Sequence, residues 1–315
     1  LQTGVSLEKN LPGRWKPEPG GENHLWSQPY PGRGCPVIAG DRLYTLGYNG
    51  EGPDLQEFLA CLDARTGERI WERRYSDFLS DMIYERYSIG SPAIDPETGN
   101  VYILTSPGLL VCLDRDGKEL WRHEMTSEFG RLTFPNGRTG APVVDGDLAI
   151  VRGITAFWGS QGPAQDRFYA FDKRTGEHVW ASSPGIAPQD SSFSTPVFDW
   201  WNGQRVFYCG TGCGHIVCVN ARNGEPLWRF RFSLGGVNSS LLVHNGDKLI
   251  AIHNVENVDS SETGRLAAIR IPKTLPEGTR PVLLPKESEL WRNDLITFSS
   301  SPVLVGDLLY VTTQT

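Results

Sequence analysis

A short element that returns in phase constrains this chain more than anything else in it. It reads "CLDARTGERIW" up to Trp71, "CLDRDGKELW" up to Trp121, "AFDKRTGEHVW" up to Trp180 and "CVNARNGEPLW" up to Trp228. A degenerate fifth copy opens with "AIRIPK" at Ala268 and reaches Trp291 only after an insertion. Successive Trp residues lie 50, 59, 48 and 63 residues apart. A period of that size is one supersecondary unit repeated, and such units must stack because none buries its apolar face alone.

A second element recurs between these copies: "CPVIAGDRLYTLG" from Cys35, "SPAIDPETGNVYILT" from Ser91, "APVVDGDLAIVRG" from Ala141. It returns as "TPVFDWWNGQRVFYCG" from Thr195, "SSLLVHNGDKLIAIH" from Ser239 and "SPVLVGDLLYVTT" from Ser301. Each is a short apolar run, a Gly/Asp/Asn turn and a second apolar run, the pattern of a β-hairpin. One unit is therefore four antiparallel strands, which describes a propeller blade. The expected fold class is all-β: a β-propeller of four-stranded antiparallel blades. Five Trp-terminated units (about 35–71, 91–121, 139–180, 194–228 and 238–291) and a partial one (299–315) form a single domain over 23–315, after an N-terminal segment 1–22. The many turns implied by 35 Gly and 22 Pro agree with this, and no segment shows sustained helical periodicity. The unmatched "NHLW" at 23–26 and the half-unit at the end imply a longer parent with seven or eight blades.

The repeat residues have physical roles. Gly67, Gly176 and Gly224 supply positive φ to a turn, and Asp63, Asp114 and Asp172 cap it by accepting backbone N–H bonds. Asn220 takes that place in the fourth unit, which a carboxylate needed for chemistry would not allow. Trp71, Trp121, Trp180 and Trp228 are expected to pack between neighbouring blades rather than to stack on a substrate. Cys61, Cys112 and Cys218 align with Ala170 and Ala268, so they read as small packed residues. Cys209, Cys213 and His215, in "CGTGCGH", leave a zinc site as a lesser alternative to packing.

The signature A-x-D-x-x-T-G-x-x-x-W, with S-P-V…G-D…Y between copies, resembles the pyrroloquinoline-quinone-like β-propeller repeat family over about residues 23–315. That family includes quinoprotein alcohol dehydrogenases and the scaffold lipoprotein of the outer-membrane β-barrel assembly machinery. The resemblance implies a bacterial protein exported to the periplasm or cell surface, closer to the scaffold than to the dehydrogenases. The dehydrogenases carry an adjacent Cys-Cys pair beside their cofactor, and no two cysteines are consecutive here. The expected function is a non-catalytic scaffold or binding module with no cofactor. The alternative is a quinoprotein dehydrogenase oxidising alcohols or sugars with pyrroloquinoline quinone and calcium.

In a four-stranded blade, loops after the first and third strands share one face, and loops after the second and fourth share the other. The first set is uniformly tight; the second is long and diverse, which is where a rigid scaffold places binding residues. Candidates on that face are Arg74, Asp77, Asp81, Tyr84 and Arg86 from the first link between units, and Arg131 and Arg138 from the second. Trp158, Gln189, Asp190, Asn254 and Glu256 complete the set, with a protein, peptide or glycan as the expected partner. A formal charge of −7 without a Lys/Arg-rich run argues against nucleic acid. No apolar run approaches the roughly 18–20 residues that cross a bilayer, and the opening "LQTGVSLEKN" does not read as a signal peptide.

Overall fold

The computed structural model describes residues 8–76, 87–130, 141–155, 164–190, 192–255 and 263–313. They fall into two compact units, the first ending its described part at Phe129 and the second carrying residues 141–313.

The first unit holds two blades. In blade 1, β1 (Val37–Ala39), β2 (Arg42–Asn49), β3 (Gln56–Asp63) and β4 (Arg69–Ser76) pair in chain order, all antiparallel. Blade 2 repeats this with β5 (Ala93–Ile94), β6 (Val101–Leu104), β7 (Leu109–Leu113) and β8 (Glu119–Glu124), followed by the short helix α1 (Met125–Phe129).

The second unit holds three blades and a hairpin. Blade 3 is β9 (Val143–Asp145), β10 (Leu148–Thr155), β11 (Gln165–Asp172) and β12 (His178–Ser182). Blade 4 is β13 (Val197–Trp201), β14 (Gln204–Gly210), β15 (His215–Asn220) and β16 (Pro226–Arg231). Blade 5 begins with β17 (Leu242–His244), β18 (Lys248–His253) and β19 (Arg265–Arg270). The insertion then forms β20 (Val282–Leu283), which leaves blade 5 and pairs with β16 in parallel as a fifth strand of blade 4. Blade 5 is completed by β21 (Glu289–Asn293), and β22 (Val303–Val305) pairs with β23 (Leu308–Tyr310).

The Cys/Ala alternation in the repeat has a direct cause. In all five blades the Trp of the fourth strand sits opposite that position: Cys61–Trp71, Cys112–Trp121, Ala170–Trp180, Cys218–Trp228 and Ala268–Trp291. In every blade the cross-strand neighbour of the indole is a small residue. The register shifts by one residue immediately after each of these pairs, so the bulge belongs to the repeat.

The Trp rings also explain the Thr-Gly turns. Gly117 has φ +80°, and a Cβ there would lie 2.7 Å from Cδ2 of Trp71. The same holds at Gly224 against Trp180, at 2.6 Å, and at Gly67 against Trp26, at 2.5 Å. Each turn glycine thus answers two demands, a left-handed backbone and a ring lying on its Cα. Trp71 Nε1 donates to the Arg115 carbonyl at 3.0 Å, and Trp26 Nε1 donates to that of Ala64 at 3.2 Å. Trp26, from the unmatched "NHLW", therefore occupies the place of a fourth-strand Trp. The apolar cores lie between sheets. Tyr44, Leu46 and Leu59 of blade 1 meet Val101, Ile103 and Val111 of blade 2, Phe168 and Trp180 meet Phe207, and Tyr208 and Trp228 meet Leu249 and Ile269.

Candidate functional face

The caps form as the repeat requires. Asp63 Oδ1 accepts from the N–H groups of Arg65 and Thr66 at 2.8 Å, Asp114 from Asp116 and Lys118, and Asp172 from Arg174 and Thr175. Asn220 Oδ1 accepts from Arg222 at 2.9 Å. These bonds to the ionised form hold the Asp63 and Asp172 carboxyls below the usual range.

On the tight-turn face, arginines reach back to the preceding blade. Arg115 pairs with Asp41 at 2.7 Å. Arg222 and Arg205 both bind Asp145, through Oδ2 at 2.7 Å and Oδ1 at 2.5 Å.

The opposite face carries the longer loops, and its hairpins alternate in length. "GYNGEGPDLQEF" is mostly strand, since β2 and β3 pair out to Asn49–Gln56 around a loop of residues 50–55. In blade 3, β10 and β11 pair out to Thr155–Gln165. The hairpins of blades 2 and 4 instead close at Thr105 and Thr211, whose N–H groups bond the carbonyls of Leu109 and His215.

One buried carboxylate fixes each step between a long and a short hairpin. Glu57 of β3, 1% exposed, accepts from the N–H of Ser88 at 2.5 Å and from the N–H and hydroxyl of Ser106 at 2.6 and 2.7 Å. Asp166 of β11, 2% exposed, accepts from the Gly212 N–H at 2.7 Å and binds the Arg152 guanidinium, whose Nε lies 2.7 Å from Oδ1. Arg152 Nη1 continues to Ser192 Oγ at 2.8 Å. Glu57 and Asp166 occupy one repeat position, four residues before Cys61 and Ala170, and Ser106 and Gly212 each follow the hairpin Thr by one residue. Sequence reasoning missed both acids. The signal was present: "QEFLACLD" and "QDRFYAFD" both place an acid second in a strand that ends in the repeat Asp.

Of the sequence-derived candidates, Arg74 is held in place by Glu72 at 2.7 Å and Asn49 Oδ1 at 3.1 Å, beside the Phe58 ring. Gln189 and Asp190 donate their N–H groups to the Gly212 carbonyl at 2.9 and 3.1 Å, so they belong to the loop packed on the blade 4 hairpin. Asn254 is half-buried just beyond β18. Asp77, Asp81, Tyr84, Arg86, Arg131, Arg138, Trp158 and Glu256 lie outside the described residues. In the first unit, His123 Nδ1 and Glu128 Oε2 are 2.6 Å apart, and the Glu124 N–H donates to Glu128. Burial pushes the Glu128 carboxyl up, but those two bonds outweigh it and hold the group below its usual value.

The "CGTGCGH" cluster is packed within blade 4. Cys213 Sγ lies 3.1 Å from Thr211 Oγ1, Cys209 Sγ lies 3.3 Å from the Ser194 carbonyl, and all six cysteines are free thiols. Burial raises the Cys209 thiol to about 11 and lowers the His215 imidazole to about 4, with Arg229 and Arg231 adding to the effect. Among the described residues no group of three or more His, Cys, Asp or Glu is arranged to hold a metal ion.

Five blades of four antiparallel strands, the fourth extended by the parallel β20 and each closed by a Trp that pairs with a small residue, define an all-β protein of the β-propeller class with pyrroloquinoline-quinone-like repeats. Residues 59–315 match the family described as outer membrane protein assembly factor BamB, and the chain belongs to that family. Among curated relatives it is 47% identical over 45 residues to the outer membrane protein assembly factor BamB of Aliivibrio fischeri, covering 14% of this chain and 10% of that protein. It is 32% identical over 128 residues to a 1-butanol dehydrogenase (quinone) of Thauera butanivorans, covering 38% of this chain and 19% of that enzyme. The matches thus span about a tenth and a fifth of those relatives. The crystal structure of BamB from Moraxella catarrhalis aligns over 88% of this chain and 78% of its own, at 15% identity and a TM-score of 0.47. Among the described residues no helix is long and apolar enough to cross a membrane.

Proposed function

We propose that this chain is a non-catalytic scaffold outside the cytoplasm, in the periplasm, and that its long-loop face binds a protein, peptide or glycan without a cofactor. The observation that carries this reading is the matched pair of buried carboxylates. Glu57 accepts from the Ser106 N–H, and Asp166, held by Arg152, accepts from the Gly212 N–H, each on the neighbouring blade's hairpin loop. Carboxyl groups used that way fix the short hairpins of blades 2 and 4, and pre-ordered backbone there loses little entropy when a partner docks. Family membership supports a protein partner.

A second reading is favoured by the 128-residue match to a quinone-dependent dehydrogenase. It requires pyrroloquinoline quinone over calcium. Weighing toward the scaffold reading is the sequence, which has no adjacent cysteine pair; among the described residues no donor cluster for that ion occurs. The test has two arms. A photo-crosslinker at Gln189 or Asn254 should capture one discrete partner in cells, and the same group at Asn202 on the tight-turn face should not. If the purified chain with quinone and calcium gains a quinone absorbance band and reduces a dye with alcohols, the scaffold reading fails.

A further inference from the structure

The outermost strand of each blade is an edge that must be guarded or covered, because an open row of N–H and C=O groups accepts another strand. Three blades guard it with charge. β4 carries Arg69, Glu72, Arg73 and Arg74, β8 carries Glu119, Arg122 and Glu124, and β21 carries Glu289 and Arg292. Blade 4 covers it instead. β20 runs parallel to β16 with Val282 opposite Trp228 and Leu283 opposite Arg229, and the Leu284 N–H donates to the Arg229 carbonyl at 2.8 Å. Leu284 is buried in the core between blades 4 and 5, and Arg280 pairs with Glu225.

β12 has neither device. Its residues, His178–Ser182, include no Lys, Arg, Asp or Glu, and among the described residues no strand pairs with its outer side. Val179, at the bulge, is 49% exposed, and Ala181, two residues on, is exposed as well.

The covered edge shows what the bare one is built to accept. Trp180 and Trp228 hold the same repeat position, opposite Ala170 and Cys218, so Ala181 corresponds to Arg229. The turns before them match as well. Asp172 N–H bonds the Glu177 carbonyl at 2.8 Å, and Asn220 N–H bonds that of Glu225 at 2.9 Å. Glu225, the anchor of Arg280, therefore has its counterpart in Glu177, which is exposed.

We propose that the outer edge of β12 is a strand-addition site for an extended segment of a partner protein. The segment runs parallel to β12 and carries an arginine or lysine two residues before an apolar pair, with the basic group on Glu177. Main-chain bonds supply the affinity and the ion pair sets the register. The occupant comes from another protein because this chain's own 280–284 segment is committed to β16, with Leu284 in the core. The site lies apart from the long-loop face and stands or falls independently of the scaffold reading.

The experiment uses the full chain and a labelled peptide with the sequence of residues 278–288. Binding should protect the amides of His178–Ser182 from hydrogen exchange. The guard variant Val179→Lys/Ala181→Lys, both at exposed positions, should weaken binding at least tenfold. Glu177→Lys should weaken it too, and a peptide with Glu in place of its Arg should restore it. The proposal is overturned if β12 amides gain no protection at saturating peptide, if the guard variant binds equally well, or if protection falls on Pro226–Arg231 instead. It is also overturned if the chain self-associates and the guard variant abolishes that, which would assign the edge to a second copy.

Discussion

Two buried histidines make the stability of this chain acid-sensitive. His215 and His253 are each 5% exposed. His215 Nδ1 and His253 Nε2 have no hydrogen-bond partner among the described residues. Burial holds both imidazoles neutral down to about 4, helped by Arg229 and Arg231 at His215 and by Arg265 at His253. The unfolded chain takes up these protons near pH 6.5, whereas the folded chain does not until about pH 4. The folded pKa is therefore depressed, so the stability is fully present above pH 6.5 and is lost as pH falls toward 4. A shift from 6.5 to about 4 corresponds to about 3 kcal/mol per histidine at 1.36 kcal/mol per unit. By pH 5 the two together should have lost about 4 kcal/mol, a large part of the roughly 5–15 kcal/mol of a typical domain. Guanidinium unfolding at pH 7.0, 6.0 and 5.0 reads this directly, and His215→Phe/His253→Phe should flatten the slope whatever its absolute stability. Imidazole NMR titration of the unsubstituted chain gives the same answer without a variant. A flat profile from pH 7 to 5, a slope that survives in the double variant, or imidazoles titrating near 6.5 would refute the reasoning.

Three further outcomes follow from packing. Gly117→Ala puts a Cβ against Trp71 at φ +80°, whereas Gly203 has φ +73° and open space around it. Gly203→Ala should therefore cost about 1–2 kcal/mol of backbone strain alone, and Gly117→Ala should cost measurably more by chemical denaturation. Asp166→Ala strands the buried Arg152 and should cost about 3–5 kcal/mol, while the double change Arg152→Met/Asp166→Leu should recover most of it. Cys61→Ala should be nearly neutral, but Cys61→Leu should cost about 1–3 kcal/mol by overpacking against Trp71; equal effects in denaturant melts would show that the Trp does not set the size of its partner.

Much of this molecule is legible in one dimension. The four-strand unit, the Asp-capped turn, the positive-φ glycines and the Cys/Ala equivalence all follow from residues close in sequence. Turn chemistry and strand alternation are local, and repetition exposes them in successive copies. The identity of the small residue's partner is also local, because a hairpin of fixed length brings Cys61 opposite Trp71.

Contacts between repeats were not legible, because nothing along the chain says which distant backbone group a side chain will meet. Glu57 reaches Ser106, 49 residues away, and Asp166 reaches Gly212, 46 residues away. The insertion after Ala268 reads as irregular sequence, yet its Val282 and Leu283 join a blade that had been completed some 50 residues earlier. Sequence alone determined the blade, because burial period and turn geometry act within a few residues. Only the tertiary structure decided which edges are guarded, covered or bare and where the buried charges are used, because stacking the blades brings those groups together.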